Sequence, residues 1–297
     1  MSVTPLEAVA GLGDGDVRLK LECFQRSGSF KVRGALAGLS CCAGAPAGVV
    51  TASAGNHGLG VAEAAVELGA RVRIFAPASA DAGKLARLRA YGDSVELVEV
   101  DGSYDDTERA ARADCAARPG SHYLSSYNDR GVVAGQATVA LELLEQWPRP
   151  DAVVVPVGGG GLIGGIGLVV KALAPGVRVV GVEPEGSAAL GVSLRAGEVT
   201  AIEDRGSSAE GLVGNLDPGS VTFELARRHV DLMLTVSEAA IRDAVRRLYE
   251  TAGLVVEPAG AAAVAALGDP ALHGARRVAC LVTGRNVAAA THRALVA

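Results

Sequence analysis

Aromatic side chains are scarce in this sequence: phenylalanine, tyrosine and tryptophan together make up 3% of its 297 residues. So few rings leave little for base stacking, and the net charge of −5 is reached without any basic block, which argues against nucleic-acid binding. Cysteine is thinly used as well. Cys23, Cys41, Cys42, Cys115 and Cys280 show no CxxC or Cys/His spacing, so neither a zinc site nor a disulfide framework is suggested and reduced thiols are expected. The most apolar stretch, Leu162 to Leu173, is too short and glycine-rich to span a bilayer. Met1 to Glu7 lacks the basic leader and apolar run of a signal peptide. These absences predict a cytoplasmic protein that meets neither membrane nor nucleic acid.

What is present is a large apolar fraction, 49%, with 39 glycines, enough to bury a sizeable core of closely packed helices on sheet. Short β-branched runs alternate with amphipathic helical patterns. Val49 to Thr51 precedes a helix over Asn56 to Leu68, and Val72 to Phe75 one over Asp81 to Tyr91. Val95 to Val98 precedes Thr107 to Ala117, and His122 to Leu124 precedes Val132 to Leu144. The second half adds apolar runs at Val153 to Val155, Val177 to Val182, Leu232 to Leu234 and Val278 to Leu281. Repeated βα units of this kind predict an α/β fold on parallel sheets covered on two faces. Pro148-Arg149-Pro150 marks a linker or an αβ turn.

Five stretches carry candidate chemistry. Ser27-Gly28-Ser29-Phe30-Lys31 sets a lysine at a helix start, beside an aromatic and with no adjacent carboxylate. An apolar pocket or a neighbouring cation lowers a lysine pKa, and the neutral amine can attack a carbonyl. Thr51 to Gly58 lies between a strand and a helix, where backbone N–H groups with the Ser53 and Asn56 side chains could receive a carboxylate or phenolate oxygen. Gly158, Gly159, Gly160, Gly161 and Leu162 follow a strand and open a helix, a site for a phosphate on successive N–H groups and the helix dipole. Gly159 to Gly164 also fits GxGxxG, with Glu183 about twenty residues on, so an NAD-dependent dehydrogenase is a rival reading. Glu257-Pro258-Ala259-Gly260 turns into an alanine-rich helix, and Thr283-Gly284-Arg285-Asn286 follows the last strand, where Thr283 could face a ring nitrogen.

Taken together, and in this order along nearly the whole chain, these stretches resemble the fold-type II pyridoxal-phosphate enzymes, in particular the threonine/serine dehydratase and serine racemase branch. The resemblance implies two parallel-sheet α/β domains with the active site between them: a large one of residues 1–47 and 131–297, and a small mobile one of residues 48–130. It implies that Lys31 forms the Schiff base with pyridoxal 5'-phosphate and that Phe30 lies against the cofactor. Asn56 would meet the phenolic oxygen, Gly158 to Leu162 the phosphate, and Thr283 the pyridine nitrogen. Ser53, Gly55, Asn56 and His57 would take the substrate carboxylate, and Lys31 would remove the α-proton. The expected reaction is β-elimination from L-threonine or L-serine to a keto acid and ammonia, in a homodimer.

Departures from the family pattern refine the expectation. Racemases carry a second serine in the asparagine loop, and Ala54 stands there, so racemisation is expected to be minor; serine racemase and 3-hydroxyaspartate dehydratase remain alternatives. Glu183 matches one carboxylate of the branch's cation site, but Ala189 stands at a second, so no metal is expected. Feedback by isoleucine is not expected, because only about ten residues follow Asn286. A cofactor-binding protein without turnover is a third reading. Glu210 stands where aspartate is usual and Ser125-Ser126-Tyr127 where a His-Pro stretch is usual.

Overall fold

The computed structural model describes residues 1–13, 15–42, 45 and 47–297. The chain begins with β1 (Leu6–Ala8), β2 (Asp16–Lys20) and α1 (Lys31–Cys41). Next come β3 (Val49–Ala52), α2 (Asn56–Leu68), β4 (Val72–Pro77), α3 (Ala82–Arg89), β5 (Val95–Val100), α4 (Tyr104–Ala116) and β6 (His122–Tyr123). Then follow α5 (Arg130–Gln146), β7 (Ala152–Pro156), α6 (Gly161–Leu173), β8 (Arg178–Pro184), α7 (Ala189–Ala196), α8 (Val221–His229) and β9 (Leu232–Val236). The last elements are α9 (Glu238–Ala252), α10 (Pro258–Ala265), β10 (Arg277–Leu281) and α11 (Ala289–Val296).

The strands form two sheets, β1-β2-β10-β7-β8-β9 and β5-β4-β3-β6. Every pairing is parallel among the described residues except that of β1 with β2. The alternation of strand and helix in the sequence predicts this α/β architecture, and its reason is visible in burial: all residues of β3 and β7 are buried, as strands covered on two faces must be. The helix expected over Asn56 to Leu68 is present with those limits and stops at Gly69, whose left-handed φ of 63° ends it. The one expected from Asp81 is shorter, because Asp81 is its cap, accepting from the Lys84 N–H. The one expected from Thr107 starts a turn earlier, at a capping box of Ser103 and Asp106. Pro148 to Pro150 is an αβ turn between α5 and β7.

Strand β2 is absent from the expectations and yet pairs with β10 inside the large sheet. Its sequence, DVRLK, shows only two apolar residues, and its Lys20 is fully buried. Lys20 donates to the Thr4 carbonyl and to Glu142 on α5. Arg33 on α1 donates to Glu22 at 2.7 and 2.8 Å and to Glu142 at 2.9 Å, and Glu22 also accepts from the Thr4 hydroxyl. Two buried cations are thus matched by two carboxylates, and the cluster ties the chain start, β2, α1 and α5 together two residues from Lys31. Removing one charge of such a buried set costs far more than the set contributes. Glu22→Gln should therefore lower unfolding stability by about 3 kcal/mol, whereas Glu224→Gln on the exposed face of α8 should leave it nearly unchanged. Urea titration of the two variants checks the difference.

Candidate active site

Helix starts leave backbone N–H groups without partners, and a side chain usually satisfies some of them. In this protein Asp81, Ser103, Asp129, Ser220 and Ser237 do so for α3, α4, α5, α8 and α9. Helices α2 and α6 differ: each has glycine at the cap, Gly55 and Gly160, and no side-chain cap. Among the described residues no protein acceptor faces the backbone N–H of Asn56, His57 or Gly58, nor those of Gly158, Gly159, Gly160, Gly161 or Leu162. The two starts belong to the asparagine loop and the four-glycine loop. Gly160 needs its glycine, since its φ is 82°.

The four-glycine loop is also crowded. A Cβ on Gly158 would stand 3.0 Å from Leu212, and one on Gly159 would fall within the Tyr127 ring. A Cβ on Gly161 would stand 3.0 Å from the Tyr127 backbone. Residue 126, the neighbour of that tyrosine, accepts a 3.0 Å hydrogen bond on its carbonyl from the Lys31 amine. The dipeptide Ser126-Tyr127 therefore joins the lysine to the glycine loop. The asparagine loop is brought to Lys31 from the other side, because a Cβ on Gly60 of α2 would stand 3.0 Å from the Lys31 backbone.

Lys31 is the first residue of α1, partly exposed by area, with its amine 5.3 Å from the centre of the Phe30 ring. Desolvation lowers its pKa to about 8, partly opposed by the charge of Glu257. The absence of a carboxylate beside Lys31 holds only along the sequence; the fold supplies Glu257 from 226 residues away. Burial in turn pushes Glu257 up to about 7, against the hydrogen bond from Asn56. His57 is buried and held at about 3, by desolvation first and by the Lys31 charge second, so its ring is neutral. Its Nε2 meets the Leu124 carbonyl at 3.2 Å.

Asn56 does not cap its helix. Its Nδ2 donates to Glu257 and its Oδ1 accepts from Asn286, each at 2.5 Å, and Asn286 also donates to the Ser27 carbonyl at 2.9 Å. Ser53 Oγ accepts from the Gly55 N–H at 3.1 Å. Thr283 is buried, donates to the Ala259 carbonyl at 3.3 Å, and accepts the Phe30 N–H on its own carbonyl at 3.1 Å. Gly284 forms a bridge with Ser29. Thus Phe30, Lys31, Asn56, the glycine loop and Thr283 are linked by contacts among elements of both sheets.

Ser126, Tyr127 and Glu257 were not among the residues to which the sequence assigned a function. The His-Pro replacement flagged the first two, and the Glu-Pro turn at a helix start flagged the third. Glu183 is drawn elsewhere: both its oxygens accept backbone N–H groups, from Leu190 and Gly191, at the start of α7. It is thereby engaged, and burial raises its pKa to about 7 despite those bonds. Among the described residues no three His, Cys, Asp or Glu side chains are placed to hold a metal. Among the described residues, no helix is long and apolar enough to cross a membrane.

Five backbone donors at a helix start where side chains would collide suit a phosphate, and a half-desolvated amine nearby suits an aldehyde. The residues present fit pyridoxal phosphate. Comparison with known proteins agrees. The L-threonine ammonia-lyase of Thermotoga maritima is 38% identical over 275 residues, covering 92% of this chain and 68% of that protein. The phenylserine dehydratase of Ralstonia pickettii is 38% identical over 292 residues, covering 97% of this chain and 87% of the other. The structure of maize serine racemase superposes with a TM-score of 0.90 at 33% identity, covering 98% of this chain and 90% of that one. The family described as pyridoxal-phosphate dependent enzyme matches residues 1–284, which sets aside a nicotinamide role for the glycine loop, and the chain belongs to that family.

Proposed function

We propose that this protein is an ammonia-lyase that eliminates water from a β-hydroxy amino acid, L-threonine or L-serine, to give a 2-keto acid and ammonia. The observation that carries the reading is the seating of the Lys31 amine on the Ser126 carbonyl, one residue from the tyrosine that lies against the glycine loop. The names of the relatives support the reaction class. Pyridoxal 5'-phosphate, when bound, draws off the electron pair that deprotonation leaves on the substrate α-carbon.

The chain's own residues would do the rest. The N–H groups of Gly158, Gly159, Gly160, Gly161 and Leu162 would hold the phosphate. Asn56, fixed by Glu257 and Asn286, keeps one Nδ2 hydrogen free for the phenolic oxygen. Thr283 would meet the ring nitrogen with a hydroxyl, and Phe30 would flank the ring. The uncapped start of α2, with Ser53, Gly55, Asn56 and His57, would receive the substrate carboxylate. His57 is neutral and its Nε2 is held by the Leu124 carbonyl, so it orients and does not supply a proton. Lys31 would take the α-proton, since desolvation lowers its amine to about 8 and so leaves a neutral fraction near pH 7.

Residues 48–130 would close as a small domain over the large one of residues 1–47 and 131–297. Contacts from α3 support this: Lys84 meets Glu210 at 2.7 Å and Arg87 meets Asn286 at 2.9 Å. Free thiols throughout suit a reducing cytoplasm. Assembly as a homodimer rests on the family resemblance alone.

Incubation of the purified protein with pyridoxal phosphate, then with L-threonine or L-serine, tests the reading. Visible absorbance that borohydride bleaches while fixing the cofactor onto Lys31 in one sample, with keto acid and ammonia released in an untreated one, is the expected result. Colour without turnover would leave only the binding role, and no uptake of the cofactor would end the proposal. The amine reacts only when neutral, so capture of the cofactor should quicken as pH rises through about 8, not 10.5; stopped-flow absorbance across pH 6–11 reads the midpoint. With Ala54 in place of a second acid/base, racemisation of L-serine should run roughly 10²-fold or more below elimination, as chiral chromatography of the residual substrate will show. Thr283→Asp, which would keep a ring nitrogen protonated, should raise the racemised share relative to keto acid.

A further inference from the structure

A run of glycines has no side chains with which to fix its own shape, and it loses more backbone freedom on ordering than any other sequence. In this protein neighbouring residues supply the shape. On one side lies the Tyr127 ring. On the other, Thr222 in the first turn of α8 is fully buried and donates its hydroxyl to the Gly159 carbonyl at 2.6 Å. A Cβ on Gly160 would stand 3.1 Å from that threonine. Ser220 Oγ lies 2.7 Å from Thr222 Oγ1; as the threonine proton is committed to Gly159, serine is the donor there.

The two grips are joined to one another. The Asp217 N–H donates to the Tyr127 hydroxyl at 2.8 Å, and the Val221 N–H donates to Asn128 Oδ1 at 3.0 Å. Asn128 and Arg112 both donate to Asp217 Oδ2, at 3.2 Å each, so α4 of the small-sheet side reaches the same turn.

A trans peptide is planar, and its C=O and N–H point in opposite directions. The Gly159 carbonyl and the Gly160 N–H belong to one such peptide. Holding the carbonyl on Thr222 therefore turns the Gly160 N–H away from α8. We propose that Thr222 is a positioning residue for anion capture, aiming the glycine-loop donors at the cofactor's phosphate through its bond to the Gly159 carbonyl. This rests on the reading that the loop takes a phosphate. It predicts a defect confined to ligands that carry one.

The test measures dissociation constants for pyridoxal 5'-phosphate and for pyridoxal, which lacks the phosphate, by absorbance titration of cofactor-free protein. Thr222→Val should weaken pyridoxal phosphate roughly tenfold, the upper end for one neutral hydrogen bond, and leave pyridoxal unchanged. Thr222→Ser, which keeps the hydroxyl, should stay within about twofold of the parent. Should the valine variant not fold, Thr222→Ala takes its place with the same expectation. Unchanged affinity for pyridoxal phosphate, or an equal loss for both ligands, overturns the role. Failure of the unaltered protein to bind pyridoxal phosphate more tightly than pyridoxal would instead remove the phosphate reading of the loop.

Discussion

Backbone N–H groups left unpaired at two helix starts are the constraint on which the site depends. A buried peptide donor without a partner costs about 1–3 kcal/mol, and α2 and α6 carry several at once where five other helices are capped by side chains. An anion placed there would pair several of them at once. Glycine at the cap is what keeps the donors available, since serine or aspartate there would consume them. The two helices come from different sheets, so the sheets must be held at a fixed separation for one ligand to meet both.

The lysine works within the same economy of burial. Taking the Lys31 amine out of water favours its neutral form, while Glu257 pulls the other way without prevailing. Glu257 is itself desolvated and raised to about 7, so its opposing charge weakens as the pH falls. The value of about 8 already contains that opposing charge, so desolvation outweighs it. The carboxylate therefore contributes by orienting Asn56, whose amide it fixes from one side as Asn286 does from the other.

Rigidity behind Lys31 has its own origin. The cluster of Arg33, Glu22, Lys20 and Glu142 joins α1 to β2 and α5, and the loop ahead of Lys31 is zipped to the one after β10 by the Ser29 to Gly284 bridge. Thr283, Gly284 and Asn286 are thereby fixed relative to Phe30 and Lys31. Positioning of a reactive group by a supporting shell is worth several orders of magnitude in rate, and this shell is built from residues with no chemistry of their own.

By itself the sequence determined the alternation of strands and helices, the family, and the glycine and lysine stretches, because each is a local pattern of period or spacing. Apolar runs such as Val153 to Val155 announce buried strands whatever lies around them. Strand β2 was hidden because Lys20 and Arg18 break its pattern, and burial of Lys20 is affordable only with Glu142 from α5 at hand. Glu257, Tyr127 and Thr222 are likewise unreadable along the chain: a glutamate beside proline, a tyrosine after two serines and a threonine in a first turn are ordinary there. Only the tertiary structure decided that these three face Asn56, Gly159 and the Gly159 carbonyl, since desolvation, collision and hydrogen bonding depend on neighbours in space that sequence separation does not reveal.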